Sequence, residues 1–150
     1  MSELDRFKFL ESIFPSLNVN KVFIDCKNPI VCIGVLLSDN EYTDRIGLHL
    51  KNLGYERSEV ADFVFIQSLI RFQHTQIVET VKKRNSSNLK INDLLPVAQD
   101  LGIDSKVLRA IFDTQLSIKG NDPKLKGMHG RELGLGINQL EIENFLQKIA

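Results

Sequence analysis

Residues 19–39 read VNKVFIDCKNPIVCIGVLLSD, and the fold class turns on them. Two apolar runs, at 21–24 and 30–37, flank Asn28 and Pro29. The stretch therefore reads either as a β-hairpin or as one helix opened by the proline, whose fixed φ suits a first helical turn. Periodicity does not separate the two in runs this short. The neighbours do, because every flanking segment has helical spacing and a lone two-stranded ribbon is marginal in water. The stretch is read as helix, and the chain as an all-α fold of about five to seven helices.

Working back toward the N-terminus, Leu4, Phe7, Leu10, Ile13 and Phe14 form one apolar stripe, with Ser2 as its cap and Pro15 as its end. Working forward, Ser38 and Glu41 have capping-box spacing, which predicts a helix from about Asp39. That helix carries Tyr42, Ile46, His49, Leu50 and Leu53 on one side, and Gly54 stops it. Ser58 is expected to cap a long segment over 59–84 whose closing Lys82, Lys83 and Arg84 suit the negative pole of a helix. Residues 88–116 read as two short helices separated by Leu101-Gly102-Ile103-Asp104, with caps at Asn92 and at Asp104 or Ser105. The whole is expected to be a single helical domain over 1–150, with a C-terminal sub-lobe from about residue 88.

Composition narrows the functional classes. The 19 basic and 19 acidic residues cancel, yet they are unevenly spread: residues 1–75 hold eight basic and ten acidic side chains, and residues 82–131 hold ten and five. The second stretch is suited to an anionic partner. The longest apolar run, 30–37, is far short of the ~20 residues that cross a bilayer, and no signal-peptide pattern opens the chain, so a cytoplasmic protein with no membrane partner is expected. Cys26 and Cys32 have no second pair and no nearby histidine, which leaves a zinc site without ligands, and they are expected to be buried thiols.

No catalytic constellation is legible. His49, His74 and His129 are too scattered for a metal motif, and no P-loop, dinucleotide fingerprint or nucleophile elbow is present. No cofactor is expected. In residues 98–111 the order Ala98, Gly102, Leu108, Ile111 fits a helix-turn-helix, and equally any tight helix pair. A DNA-binding regulator or a protein-interaction module are the functions that pattern would serve.

Residues 120–146 read GNDPKLKGMHGRELGLGINQLEIENFL and hold five of the nine glycines. Gly127 and Gly130 free the backbone to turn and let a helix begin beside Lys124, Lys126 and Arg131, a credible phosphate seat. The bland alternative is a last helix docked through Leu133, Ile137, Leu140 and Phe145, with the glycines shaping its approach. This segment resembles the C-terminal tail of the bacterial-type tRNA nucleotidyltransferase family, the CCA-adding enzymes and poly(A) polymerases. Gly120 and Asp122 match the family's Gly-x-Asp-Leu element, and Gly127, Gly130, Leu133 and Gly134 match the glycine-rich element before its tail helix; Pro123 stands where the family has leucine. The resemblance covers the last third of the chain and does not include the catalytic head, whose paired metal-binding aspartates have no counterpart here. It implies tRNA or other RNA as partner, bound without nucleotide addition by this chain alone, together with a separate catalytic nucleotidyltransferase subunit. The expected nucleic-acid-binding residues are Lys82, Lys83, Arg84, Lys119, Lys124, Lys126 and Arg131.

Overall fold

Asn28 and Pro29 do start a helix. The computed structural model describes Ser12, residues 27–40 and residues 44–150, and its first complete helix, α1 (Pro29–Leu36), has Pro29 in its opening turn while the Asn28 side-chain oxygen accepts the Ile30 N–H at 3.1 Å. Residues 21–26, the first half of the ambiguous stretch, and the opening stripe from Leu4 to Phe14 lie outside the described residues. Ile30, Val31, Val35 and Leu36 are buried and Ile33 is packed against the same core, so α1 is apolar all round and sits inside the molecule. Burial of these side chains in the core outweighs the β-propensity of its branched residues.

The remaining helices are α2 (Asp44–Asn52), α3 (Arg57–Ile70), α4 (Ile77–Asn85), α5 (Ile91–Leu94), α6 (Ala98–Leu101), α7 (Ser105–Asp113) and α8 (Gly130–Ile149). No strand occurs among the described residues, so the fold is all-α. One apolar cluster runs from Ile30 on α1, through Phe63, Phe65 and Ile66 on α3 and Leu108 on α7, to Phe145 on α8.

Several local signals operate at the residues expected. Gly54 follows α2 with φ +88°, and Gly102 ends α6 with φ +70°, left-handed conformations that glycine adopts without a Cβ penalty. The Asp104 carboxylate accepts the Lys106 N–H at 2.7 Å and so caps α7. Others differ. Residues 38–40 form a turn, so no helix runs from Asp39; the described part of α2 runs from Asp44, and Glu41 and Tyr42 lie outside the described residues. Ser58 lies inside α3, whose cap is Glu56: the Glu59 carboxylate accepts the Glu56 N–H at 2.8 Å. Likewise the first helix of the 88–116 region opens at Lys90, whose N–H is accepted by Asp93 at 2.8 Å, in place of Asn92. In both cases a carboxylate three residues in supplies a charged acceptor that a neutral cap does not. Leu53 is exposed rather than packed.

The expected long segment over 59–84 is broken into α3 and α4 by residues 71–73 and a 3₁₀ turn at His74–Gln76. The gain from breaking it is visible at Phe72, whose ring meets Phe145 edge-on at 5.6 Å. Such a pair adds about 0.5–1.5 kcal/mol beyond its buried area. The reversal is tied down at its far end by Asp62, a buried carboxylate on α3 that accepts the Ser87 hydroxyl at 2.6 Å and the Asn88 N–H at 2.8 Å.

Cys32 is disulfide-bonded, which corrects the expectation of two buried thiols. The only other cysteine in the sequence, Cys26, is outside the described residues. Thiol titration of the denatured, unreduced chain is expected to find no reactive thiol, and to find both cysteines after reduction. A full thiol count before reduction overturns the bond.

Candidate nucleic-acid interface

The late basic segment is a strap laid along α8. It leaves α7 at Thr114, whose hydroxyl donates to the Ala110 carbonyl at 2.7 Å. It is then gripped by Glu141, a side chain on α8 that is 3% exposed and whose Oε1 accepts the N–H groups of Ser117 at 2.8 Å and Ile118 at 2.7 Å. A buried carboxylate with two backbone donors is a strong anchor, since hydrogen bonds to charged groups contribute about 1.5–3 kcal/mol each. Nothing in the linear pattern marks Glu141, which reads as an ordinary charged residue of an amphipathic helix.

Beyond that anchor the Asp122 carboxylate accepts the Lys124 N–H at 2.9 Å and opens a 3₁₀ turn at Pro123–Leu125. Proline fits there because the first position of such a turn has no hydrogen-bonding duty for its N–H. Leu125 is buried against Gly136: a Cβ on that glycine would lie 2.7 Å from Leu125 Cδ2 and 2.9 Å from Met128 Sδ. Gly127 and Gly130 then carry φ of +87° and +56° as the chain turns into α8. The glycines thus shape the approach and seating of the last helix. Gly136 serves packing, and Gly127 and Gly130 serve the turn.

The basic side chains point away from this packing. Lys119, Lys124, Lys126 and Arg131 are all exposed, and none forms an ion pair among the described residues. The nearest acids in sequence are Asp122, engaged with the backbone, and Glu132 in the first turn of α8. His129, the residue before α8, makes no side-chain cap, so the N–H groups of Gly130, Arg131 and Glu132 are left for water or an anion.

The three cations of α4 have different fates. Lys82 is exposed and lies 3.4 Å from Glu79, a pair of the kind that contributes little. Lys83 is half-buried in a cleft between α3 and α4. Arg84 turns inward: Nη1 donates to the carbonyls of Ile111 and Thr114 at 2.6 Å and of Phe112 at 3.1 Å, while Nη2 and Nε reach Asn85 Oδ1 at 2.8 and 3.3 Å. Burial lowers the Arg84 pKa, and a guanidinium stays charged nonetheless. Arg84 therefore caps the C-terminal end of α7 and is not part of an exposed cationic face.

The residues of the helix-turn-helix pattern fall on two short consecutive helices. Ala98, Leu108 and Ile111 are buried and Gly102 makes the turn between α6 and α7. The outer face of α7, however, sets Lys106 and Arg109 among exposed Asp100, Asp104 and Asp113, which disfavours approach to a polyanion. No group of three metal-ligating side chains occurs among the described residues, and no described helix is long and apolar enough to cross a membrane. Compared with family models, with curated proteins and with solved structures, the chain matches none.

Proposed function

We propose that the chain is an RNA-binding helical module that holds the phosphate backbone of tRNA or a related RNA on the strap before α8, and that it acts beside a separate catalytic chain, as the resemblance to nucleotidyltransferase tails implies. One observation carries the reading: Lys119, Lys124, Lys126 and Arg131 are exposed without ion pairs on a segment that Glu141, Leu125 and Gly136 hold in place. Cations already fixed on a rigid support lose less entropy on binding than cations on a loose loop. Contacts of this type position a backbone and do not read bases. An RNA partner implies a cytoplasmic setting, against which the Cys32 disulfide stands, since cytosolic thiols are generally kept reduced.

Fluorescence anisotropy with labelled tRNA tests the proposal. Binding should weaken steeply with salt, and K124A/K126A/R131A should lower the magnitude of the log–log salt slope by roughly 2, from about 0.7–0.9 per phosphate contact. Absence of binding at low salt, or a slope unchanged in the triple variant, removes the proposal. Duplex DNA in the same assay addresses the α6–α7 pair: preferential duplex binding lost in K106A/R109A would favour the regulator instead.

A further inference from the structure

Glu141 does more than grip the strap. Its Oε1 accepts both the Ser117 and the Ile118 N–H groups, while its Oε2 has no hydrogen bond or ion pair among the described residues. The side chain is 3% exposed, yet Oε2 is not sealed off. Glu141 lines a cleft of about 350 Å³ between residues 114–117 and the second half of α8, a volume at the lower end of the range for small-ligand sites. A carboxylate oxygen only accepts. Left at the base of a cleft, it is satisfied by water or by a ligand that brings a donor.

The surroundings narrow the ligand. Asn144 and Gln147 follow Glu141 along one face of α8, and their side-chain amides, unbonded among the described residues, each offer a donor and an acceptor. Lys148 donates to the Asp113 carbonyl at 3.1 Å and Arg84 to the Thr114 carbonyl at 2.6 Å, so two cations stand beside the one carboxylate and disfavour a cationic ligand. A simple anion has no donor for Oε2. The ligand is therefore neutral, with donors and acceptors side by side. Phe145 is wholly buried behind the cleft and offers no face to stack on, so a flat ligand enters by its edge. Depth then selects the donor. An exocyclic amino group projects far enough to reach a recessed oxygen, whereas the ring N–H of uracil is flanked by two carbonyl oxygens that would be pressed toward the carboxylate.

We infer that this cleft receives the amino-bearing edge of an unstacked nucleobase, cytosine, adenine or guanine in preference to uracil. The exocyclic amino group donates to Glu141 Oε2 and the neighbouring ring nitrogen meets the Asn144 or Gln147 amide, the kind of edge contact by which single-stranded RNA is read. The choice of a base over another neutral ligand rests on the RNA reading, because Ser117 at the cleft leads directly into Lys119 and the strap. A ¹H–¹⁵N NMR titration of the full chain with cytidine, adenosine and uridine tests it, cytidine and uridine differing only at the edge in question. Saturable shifts are expected at the Ser117 and Ile118 backbone amides, which share the Glu141 carboxylate, and at the Asn144 and Gln147 side-chain amides. Uridine should bind more weakly by roughly tenfold, the scale of one charge-assisted hydrogen bond. Glu141→Gln keeps an oxygen on the two backbone N–H groups and turns an NH₂ toward the cleft, so it should abolish the preference for cytidine; a loosened strap would weaken both nucleosides alike. If E141Q does not fold, as judged by its thermal transition, the exposed Asn144→Ala serves in its place, with weaker cytidine binding expected. Absence of saturation, an equal response to uridine, cytidine binding unaltered by the cleft variant, or a stronger response to N-acetylglycinamide as a peptide stand-in overturns the inference. Each of these leaves tRNA binding by the strap intact in the anisotropy assay, whereas loss of that binding with the cytidine preference retained removes the RNA reading and leaves the cleft a nucleoside site.

Discussion

Gly34→Leu is expected to lower stability by about 3 kcal/mol, and the thermal midpoint by roughly 6–12 °C for a chain of this size. The backbone of α1 crosses α3 at this glycine. An added Cβ alone would stand 2.8 Å from Ile66 Cγ2 and 3.3 Å from Ile66 Cβ. The latter atom is joined directly to the α3 backbone, so the side chain cannot swing clear and the helices must separate. Helix propensity pulls the other way, since a non-glycine residue gains up to about 1 kcal/mol over glycine in a helix interior, and the packing term is the larger. Gly134→Ala supplies the control. It lies within α8, its Cβ would meet nothing within 4 Å, and it should stabilise by about 0.5–1 kcal/mol. Denaturant unfolding of the two variants reads both signs. An unperturbed Gly34→Leu would mean that α1 and α3 do not cross at this point.

Arg84→Met is expected to cost about 2–4 kcal/mol and to accelerate amide exchange in the last turn of α7, while leaving RNA affinity and its salt slope unchanged. Its Nη1 reaches three carbonyls of residues 111–114, which would otherwise be helix-end acceptors without donors. Hydrogen bonds from a charged donor are individually the strongest of this kind. Lys148 donates to the Asp113 carbonyl at 3.1 Å beside them but does not reach the same set. Arg84→Lys should recover little, because a single ammonium does not reproduce the planar fork. Normal stability combined with a shallower salt slope would return Arg84 to the nucleic-acid face together with Lys82.

The glycine-rich segment before the last helix shows how far a sequence reading reaches. Its exposed cations and its turning glycines were legible, because both depend on residue type over a few positions. That Gly136 admits Leu125 and Met128, and that Glu141 grips Ser117 and Ile118, depends on partners 8 to 24 residues away that no local pattern marks. The cleft between α3 and α4 stayed hidden for a related reason. Gln76, Glu79, Thr80 and Lys83 have the spacing of a solvated helix face, and only the apposition of α3 turns that face into a wall.

By itself the sequence determined the helical class, the start of α1 at Asn28-Pro29, the stops at Gly54 and Gly102 and, to within the pair Asp104 and Ser105, the cap of α7. The helical class came from the spacing repeated over neighbouring segments, whereas the caps and stops are decided within about one helical turn, by a side chain satisfying its own backbone or by a glycine accepting positive φ. Tertiary structure decided where the 57–85 segment breaks, because Phe72 meets Phe145; what Arg84 does, because the carbonyls ending α7 lie beside α4; and which of the α4 cations remain exposed. These outcomes compare contacts between residues far apart in the chain, whose energies exist only once the helices are packed.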